Sequence, residues 1–536
     1  MRMRRLTWAM SLSLGLMAVA AAAQPPQPRY GGTIVVATPS DPSTLNLGLS
    51  ISAPVYIAAG PVFDSLLRYG PRMSFQPWLA TTWTVSADGT TYAFKLRDGV
   101  KWHDGKPFTA EDVKFNFETL AKVHPQGPSN FSGISTIEAP DRLTVVIRFG
   151  EPFAPFMSLL STVQAPMAFP KHLYEGTDIQ KNPFNSKPVG TGAFRFVEWR
   201  RGERIVLERN PDFWGPGLPY LDRIVARVLP QDTGRIQALA TGELHWVPTY
   251  FSYPSAQRPP AGVEVAFEGG EANVPGVNYL WLNTKHPALA HQPVRQAIAH
   301  AIDKNQIVQT TMLGFSRAAR SVLGTGSWAF NPNVPQYAHD PVAAGQLLDR
   351  AGFPKGADGT RFAVRLHATS VVETASKQAQ LLRDQLGAVG IRVNLVQGDL
   401  ATVNTAVYEK KDFDLYLVEA ALFTGPDPHI LGFYFSSKSI RSAWYTNAAA
   451  YSSPEVDRLL EQATKTMDRE GRKQLYAKVQ EVIMTDLPAI PMWEGGRGHL
   501  FSAKFAGIPP DQFFAGGTPR YGFEQIWWRE GATSRR

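Results

Sequence analysis

The chain has 536 residues, 44% of them hydrophobic and 19% charged, with no cysteine and a formal net charge of +8. That length exceeds a single core and calls for two or three domains, while the absence of cysteine excludes disulfide stapling. Lysine and arginine are scattered rather than clustered, so the positive balance gives no support to a nucleic-acid partner.

Arg2, Arg4 and Arg5 precede an apolar run from Leu6 to Val19, broken only by Thr7, Ser11 and Ser13 and followed by Ala21-Ala22-Ala23. This is the order of a cleaved export signal, assigned to residues 1–23. The alternative, an uncleaved anchor, would need a longer apolar run, since a span takes about 20 residues. Without the three leader arginines the charge falls from +8 to +5. No cysteine follows the leader to carry a lipid, so the chain reads as a free periplasmic protein and not a lipoprotein.

The β-branched run Thr33–Thr38 reads as a buried strand delivered into a loop at Pro39. In Tyr92–Leu96 apolar and polar residues alternate, which predicts a strand with one buried face. Asp98-Gly99 and Asp104-Gly105 mark turns. Thr109 is placed to cap a helix, with Glu111 and Asp112 in its first turn. Strand-like alternation returns over Leu143–Phe149. Helical stripes follow at Val294, Ala297, Ile298, Ala301 and Ile302, then at Ala375, Ala379, Leu382, Leu386 and Val389, closed by Gly390. Ser453 stands before Pro454 at a helix start, ahead of Val456, Leu459, Leu460, Ala463 and Met467. A fourth stripe, Leu475, Val479, Val482 and Ile483, stops at Pro488. With short β-runs at Ile391–Val396 and Phe413–Val418, the pattern predicts an α/β protein.

Trp78-Leu-Ala, Trp83-Thr-Val-Ser and the block Asp88 to Phe115, containing Leu96-Arg-Asp-Gly-Val-Lys-Trp-His-Asp-Gly-Lys-Pro-Phe108, resemble the signature of a bacterial extracellular solute-binding family. That family, number five, includes dipeptide, oligopeptide and nickel receptors of ABC transporters. Val62-Phe-Asp-Ser-Leu-Leu67, Gly190-Thr-Gly-Ala-Phe194, Asn210-Pro-Asp-Phe-Trp214, Ala240-Thr-Gly-Glu-Leu244, Val294-Arg-Gln-Ala-Ile298 and Tyr451-Ser-Ser-Pro-Glu-Val-Asp457 extend the resemblance from about Gly31 to about Trp493. It implies a bilobal type II periplasmic-binding-protein fold that closes on a small-molecule ligand in the cleft and presents it to an ABC permease. Lobe one would comprise 24–60, 188–278 and 492–536, an inserted subdomain 61–187, and lobe two 279–491. The resemblance further implies a monomer. Within the same fold, a chaperone or a ligand-presenting partner of a sensor is the alternative.

Peptide-binding relatives hold the ligand's ammonium with an Asp three residues before an Asp-Pro pair. The matching pair here is Asp427-Pro428, and three residues before Asp427 stands Thr424. A hydroxyl cannot compensate a buried ammonium as a carboxylate does, so sugars, opine-like conjugates and other organic solutes stand beside peptides as ligands. Phe423, Thr424 and Asp427 are the lobe-two candidates, although Asp427 would serve equally as a helix cap. Asn46, Trp493 and Glu494 are candidates near the hinge. Trp444 and Tyr445 would form an aromatic floor or belong to the core, and Arg441 would pair with an acidic ligand or face solvent. The histidines show no metal-ligand spacing, Gly314-Phe-Ser316 lacks the closing glycine of a nucleophile elbow, and Gly190-Thr-Gly192 lacks the third glycine of a dinucleotide loop. A binding protein without metal, cofactor or catalysis is therefore expected.

Overall fold

The computed structural model describes residues 27–69, 74–160, 165–248, 253–267, 276–370, 373–418, 427–495, 498–508, 513–514, 518–519 and 522–529. The predicted first strand, Thr33–Thr38, lies inside a seven-stranded sheet. It runs parallel to Arg223–Val228 on one side and to Trp246–Val247 on the other. The sheet order is Val263–Phe267, Gly498–Ser502, Trp246–Val247, Thr33–Thr38, Arg223–Val228, Arg204–Arg209, Phe194–Arg200. Ile34 and Val36 are wholly buried on one face and Ala37 is buried on the other, as expected of a strand covered on both faces.

Between the first two pieces of that sheet the chain builds a separate four-stranded antiparallel sheet, ordered Ala80–Val85, Thr91–Leu96, Thr144–Phe149, Ile134–Asp141. Tyr92, Phe94 and Leu96 fill its inner face beneath the helix Ala110–Val123. That helix starts where Thr109 predicts, and Asp112 closes the turn by accepting the Thr109 N–H at 2.9 Å.

A third sheet of six strands is ordered Ser316–Ala318, Ala489–Gly495, Val277–Leu282, Leu415–Leu417, Phe362–Thr369, Ile391–Gly398. The helices around it bury the stripes read from sequence, including Val294, Ala297 and Ile298, Leu382 and Leu386, Val456 and Leu459, and Val479 and Ile483. Met467 is the exception. The helix Pro454–Lys465 ends before it, and its thioether lies against Gly89 of the four-stranded unit.

The chain passes from the first sheet to the third between Phe267 and Val277, and returns between Gly495 and Gly498. The expected lobe limits at 278/279 and 491/492 therefore fall inside the strands Val277–Leu282 and Ala489–Gly495. Both strands are paired with the six-stranded sheet, so Trp493 and Glu494 stand with it rather than with the first sheet.

The signature motifs are the joint between the four-stranded unit and the first sheet. Asp64, buried, accepts the Trp78 indole N–H at 2.6 Å and the Thr191 hydroxyl at 2.9 Å, with Arg68 3.7 Å away. Burial pushes its carboxyl pKa up, and those donors and the guanidinium hold it back. His103 accepts the Gly190 N–H at Nδ1, which leaves Nε2–H to donate to the Gly192 carbonyl at 2.9 Å. A Cβ on Gly190 would lie 1.8 Å from the Val62 carbonyl oxygen, so only glycine permits the approach.

Desolvation lowers the pKa of the partly buried His103, His245 and His429 to about 4 and that of the buried His499 to about 3. Each binds its proton more readily unfolded, where the pKa is about 6.5. The stability this represents is intact above about pH 6.5 and is lost progressively as pH falls towards 4, by about 1.4 kcal/mol per histidine per unit. Thermal unfolding followed by circular dichroism at pH 7.5, 6 and 5 will show a falling Tm.

Candidate ligand cleft

In open α/β sheets, ligands bind beyond the carboxyl ends of the parallel strands. On the seven-stranded sheet that edge carries Thr38, Val228 and Val247, and the antiparallel pairing of Phe267 with Gly498 ends there too. On the six-stranded sheet it carries Thr369, Gly398 and Leu417, with Val277 and Glu494 paired at the same end. Both connections between the sheets leave from these two edges. The shorter contains only residues 496 and 497, so Gly495 and Gly498 are at most about 11 Å apart. Two sheet edges joined by two such connections define a cleft with a hinge.

Of the residues singled out in the sequence, Trp493 and Glu494 stand at the hinge end of this edge. Glu494 is buried and its carboxylate is fully engaged. It accepts from the Arg317 guanidinium at 2.5 Å, the Thr325 N–H at 2.7 Å and the Thr325 hydroxyl at 2.9 Å. Arg317 itself remains 63% exposed, so one buried anion holds a solvent-facing cation in place. Trp493 is buried, and its indole N–H has no acceptor among the described residues.

Asp427 lies directly after the stretch 419–426, which contains Phe423 and Thr424 and falls outside the described residues. Its carboxylate accepts the His429 N–H at 2.9 Å ahead of the helix Ile430–Phe435, close to the capping alternative. It also pairs with Arg472 at 2.7 Å. Burial alone would lower the Arg472 pKa, but the Asp427 carboxylate more than offsets this and the pKa is raised. Both partners are largely buried, so Asp427→Asn leaves a buried cation unpaired and costs about 3–5 kcal/mol. Urea unfolding will show this as a lower midpoint.

The remaining candidates sit elsewhere. Asn46 is wholly buried and its amide is spent on structure, donating to the Ala168 carbonyl, the Tyr174 hydroxyl and Asn185 Oδ1, and accepting from the Gly48 N–H. It ties the loop after the first strand to the four-stranded unit. Arg441 donates to the Ser129 hydroxyl of that unit at 3.2 Å. Trp444 is 39% exposed and donates its indole N–H to Glu409 at 3.1 Å. Tyr445, with φ of 60°, places its ring 6.0 Å from that of buried Tyr408.

Asn278 was not singled out from the sequence. It pairs with Trp493 across the hinge strands, beside a register shift, and is wholly buried. Neither its Oδ1 nor its Nδ2 has a partner among the described residues. The signal was present: one carboxamide in the otherwise apolar run Val277–Leu282. An unpaired buried amide costs about 1–3 kcal/mol, so Asn278→Leu will raise the Tm of the ligand-free protein by a few degrees in a thermal-shift assay.

Among the described residues no group of three His, Cys, Asp or Glu is placed to hold a metal ion, and no helix is long and apolar enough to cross a membrane. Three units around a hinged cleft define a receptor that encloses a solute. The chain matches the model of the bacterial extracellular solute-binding proteins, family 5, over residues 74–442. It is 30% identical to the glutathione-binding protein GsiB of Pectobacterium atrosepticum, with 89% of this chain and 91% of that protein aligned. The structure of DppA from Helicobacter pylori in complex with the peptide STSA is similar, at a TM-score of 0.78, 27% identity and coverage of 94% and 99% of the two chains. So is AgaA of A. tumefaciens R10 in complex with agropinic acid, at 0.79, 25%, 93% and 99%. The chain belongs to family 5 of the extracellular solute-binding proteins and is the substrate-binding component of an ABC importer. Such proteins bind small ligands, work with permease subunits and are found in the periplasm.

Proposed function

We propose that the protein captures a small amino-acid-derived solute, a short peptide or an opine-like conjugate, by closing its two lobes on it. It then delivers the closed complex to the inner-membrane permease. The observation that carries this reading is the double connection at the hinge, which leaves both carboxyl edges free to meet around a ligand. A ligand touching both edges stabilises the closed form over the open one. The ligand class follows the relatives, one named for glutathione and two holding a peptide and agropinic acid. Thr424 in place of an acidic anchor favours solutes whose ammonium is modified or held elsewhere.

The same reading makes residues 1–23 a cleaved signal, the mature protein a free periplasmic monomer rather than a lipoprotein, and the site one without catalysis. The unpaired donors of Asn278 and Trp493 and the fixed Arg317 cation stand at the hinge end of the cleft.

The test is a thermal-shift screen of residues 24–536 against reduced glutathione, dipeptides and tripeptides, mannopinic and agropinic acids, and oligosaccharides. A ligand at about a hundred times its Kd adds roughly 2.7 kcal/mol. Amino-acid-derived acids will raise the Tm, and oligosaccharides will not. A shift from oligosaccharides alone would replace the proposed ligand class.

A further inference from the structure

The four-stranded unit touches the second lobe. The backbone N–H of Ala154 donates to the Thr464 carbonyl at 2.8 Å, and the Glu151 carboxylate meets the Lys465 ammonium at 2.8 Å. Phe153, between them, sets its ring edge-on to His429 at 5.4 Å. The Arg441 contact to Ser129 is a further bridge between the same two units.

The two sides of this contact belong to parts that must separate for a ligand to enter. Asn46, Asp64 and His103 fasten the four-stranded unit to the seven-stranded sheet. Thr464 and Lys465 end the helix Pro454–Lys465, which packs in the core of the six-stranded sheet. Arg472 braces that helix end by donating to the Ala463 carbonyl at 3.1 Å while paired with Asp427. The contact therefore spans from one lobe to the other.

We propose that residues 151–154 and the end of the Pro454–Lys465 helix form a closing latch, engaged only when the lobes meet. Through it the four-stranded unit biases the ligand-free receptor towards the closed form. The latch uses one directional backbone hydrogen bond, one ion pair and one aromatic edge contact, all formed by groups that are free to meet water when the lobes part. Such contacts are individually weak, so they tilt a two-state equilibrium without locking it. The inference rests on the hinge-closing reading above.

The absence of native cysteine makes the test direct. Val197→Cys in the first lobe and Val342→Cys in the second, at exposed positions outside the cleft and the latch, take a spin-label pair. Pulsed dipolar distances then report the closed-to-open ratio of the mature protein. In the ligand-free state, Lys465→Glu and Glu151→Lys will each lower this ratio about two- to fivefold, the range open to an exposed pair. The exchanged double variant will recover it, and Phe153→Ser will lower it with the charges intact. Thermal unfolding of each variant, unchanged from the parent, separates loss of the latch from loss of fold.

Single variants with the parent's ratio, or an exchanged pair that fails to recover, would overturn the latch, and so would a ligand-free parent that is wholly open. One distance throughout, with and without 1 mM reduced glutathione and in every variant, would instead sink hinge closure itself. Two distances in the parent with silent variants would sink the latch alone.

Discussion

The buried carboxylate of Asp64 is the constraint on which the arrangement of the parts depends. Taking a carboxylate out of water is costly unless its lone pairs are met. Here they are met from pieces far apart in sequence: Arg68 and Trp78 beside it, Thr191 beyond the four-stranded unit, and the Trp214 indole at 3.4 Å. Arg68 also reaches Glu524 near the chain's far end at 2.6 Å. Each partner is useful only if all the pieces dock together, so a single desolvated charge makes assembly of the first lobe and the four-stranded unit cooperative. His103 between Gly190 and Gly192 repeats the device with a neutral ring.

With that joint fastened, the freedom left is that of the second lobe against the first. The second lobe is a self-contained six-stranded sheet with its own core and has little reason to deform internally. Its freedom is to swing. Two groups of contacts matter to that swing, one inside the second lobe and one between the lobes. At the hinge end lies the satisfied cluster of Glu494, Arg317 and Thr325, beside the unsatisfied pair Asn278 and Trp493. Between the lobes lies the contact of 151–154 with 464–465. A receptor built this way can spend ligand binding energy on closing, because neither group holds the lobes apart.

The pairing of Asp427 with Arg472 alters how the stretch before it is viewed. A carboxylate already committed to a buried guanidinium has little left for a ligand cation. In this chain the acidic residue of the Asp-Pro pair is part of the framework. That agrees with the absence of an acidic residue at Thr424.

The sequence by itself determined the α/β class, the helical stripes, the turn at Asp98-Gly99, the start of the helix after Thr109 and the family, because these rest on local periodicity, backbone preference and short motifs. The motifs were legible for a physical reason: Trp78, Gly190, Gly192 and Trp214 crowd around one buried joint where few other residues fit. Tertiary structure alone decided the rest. Asn46 read as a loop residue free for a ligand, and only the approach of Tyr174 and Asn185 shows its amide fully used. Asn278 was passed over in the sequence, and its unpaired amide becomes visible only when Trp493 is set opposite it. The lobe limits moved by a few residues because strand pairing, not composition, decides which sheet a residue joins. Periodicity reports which face of an element is buried, but not what it meets there, and a binding site is made of those meetings.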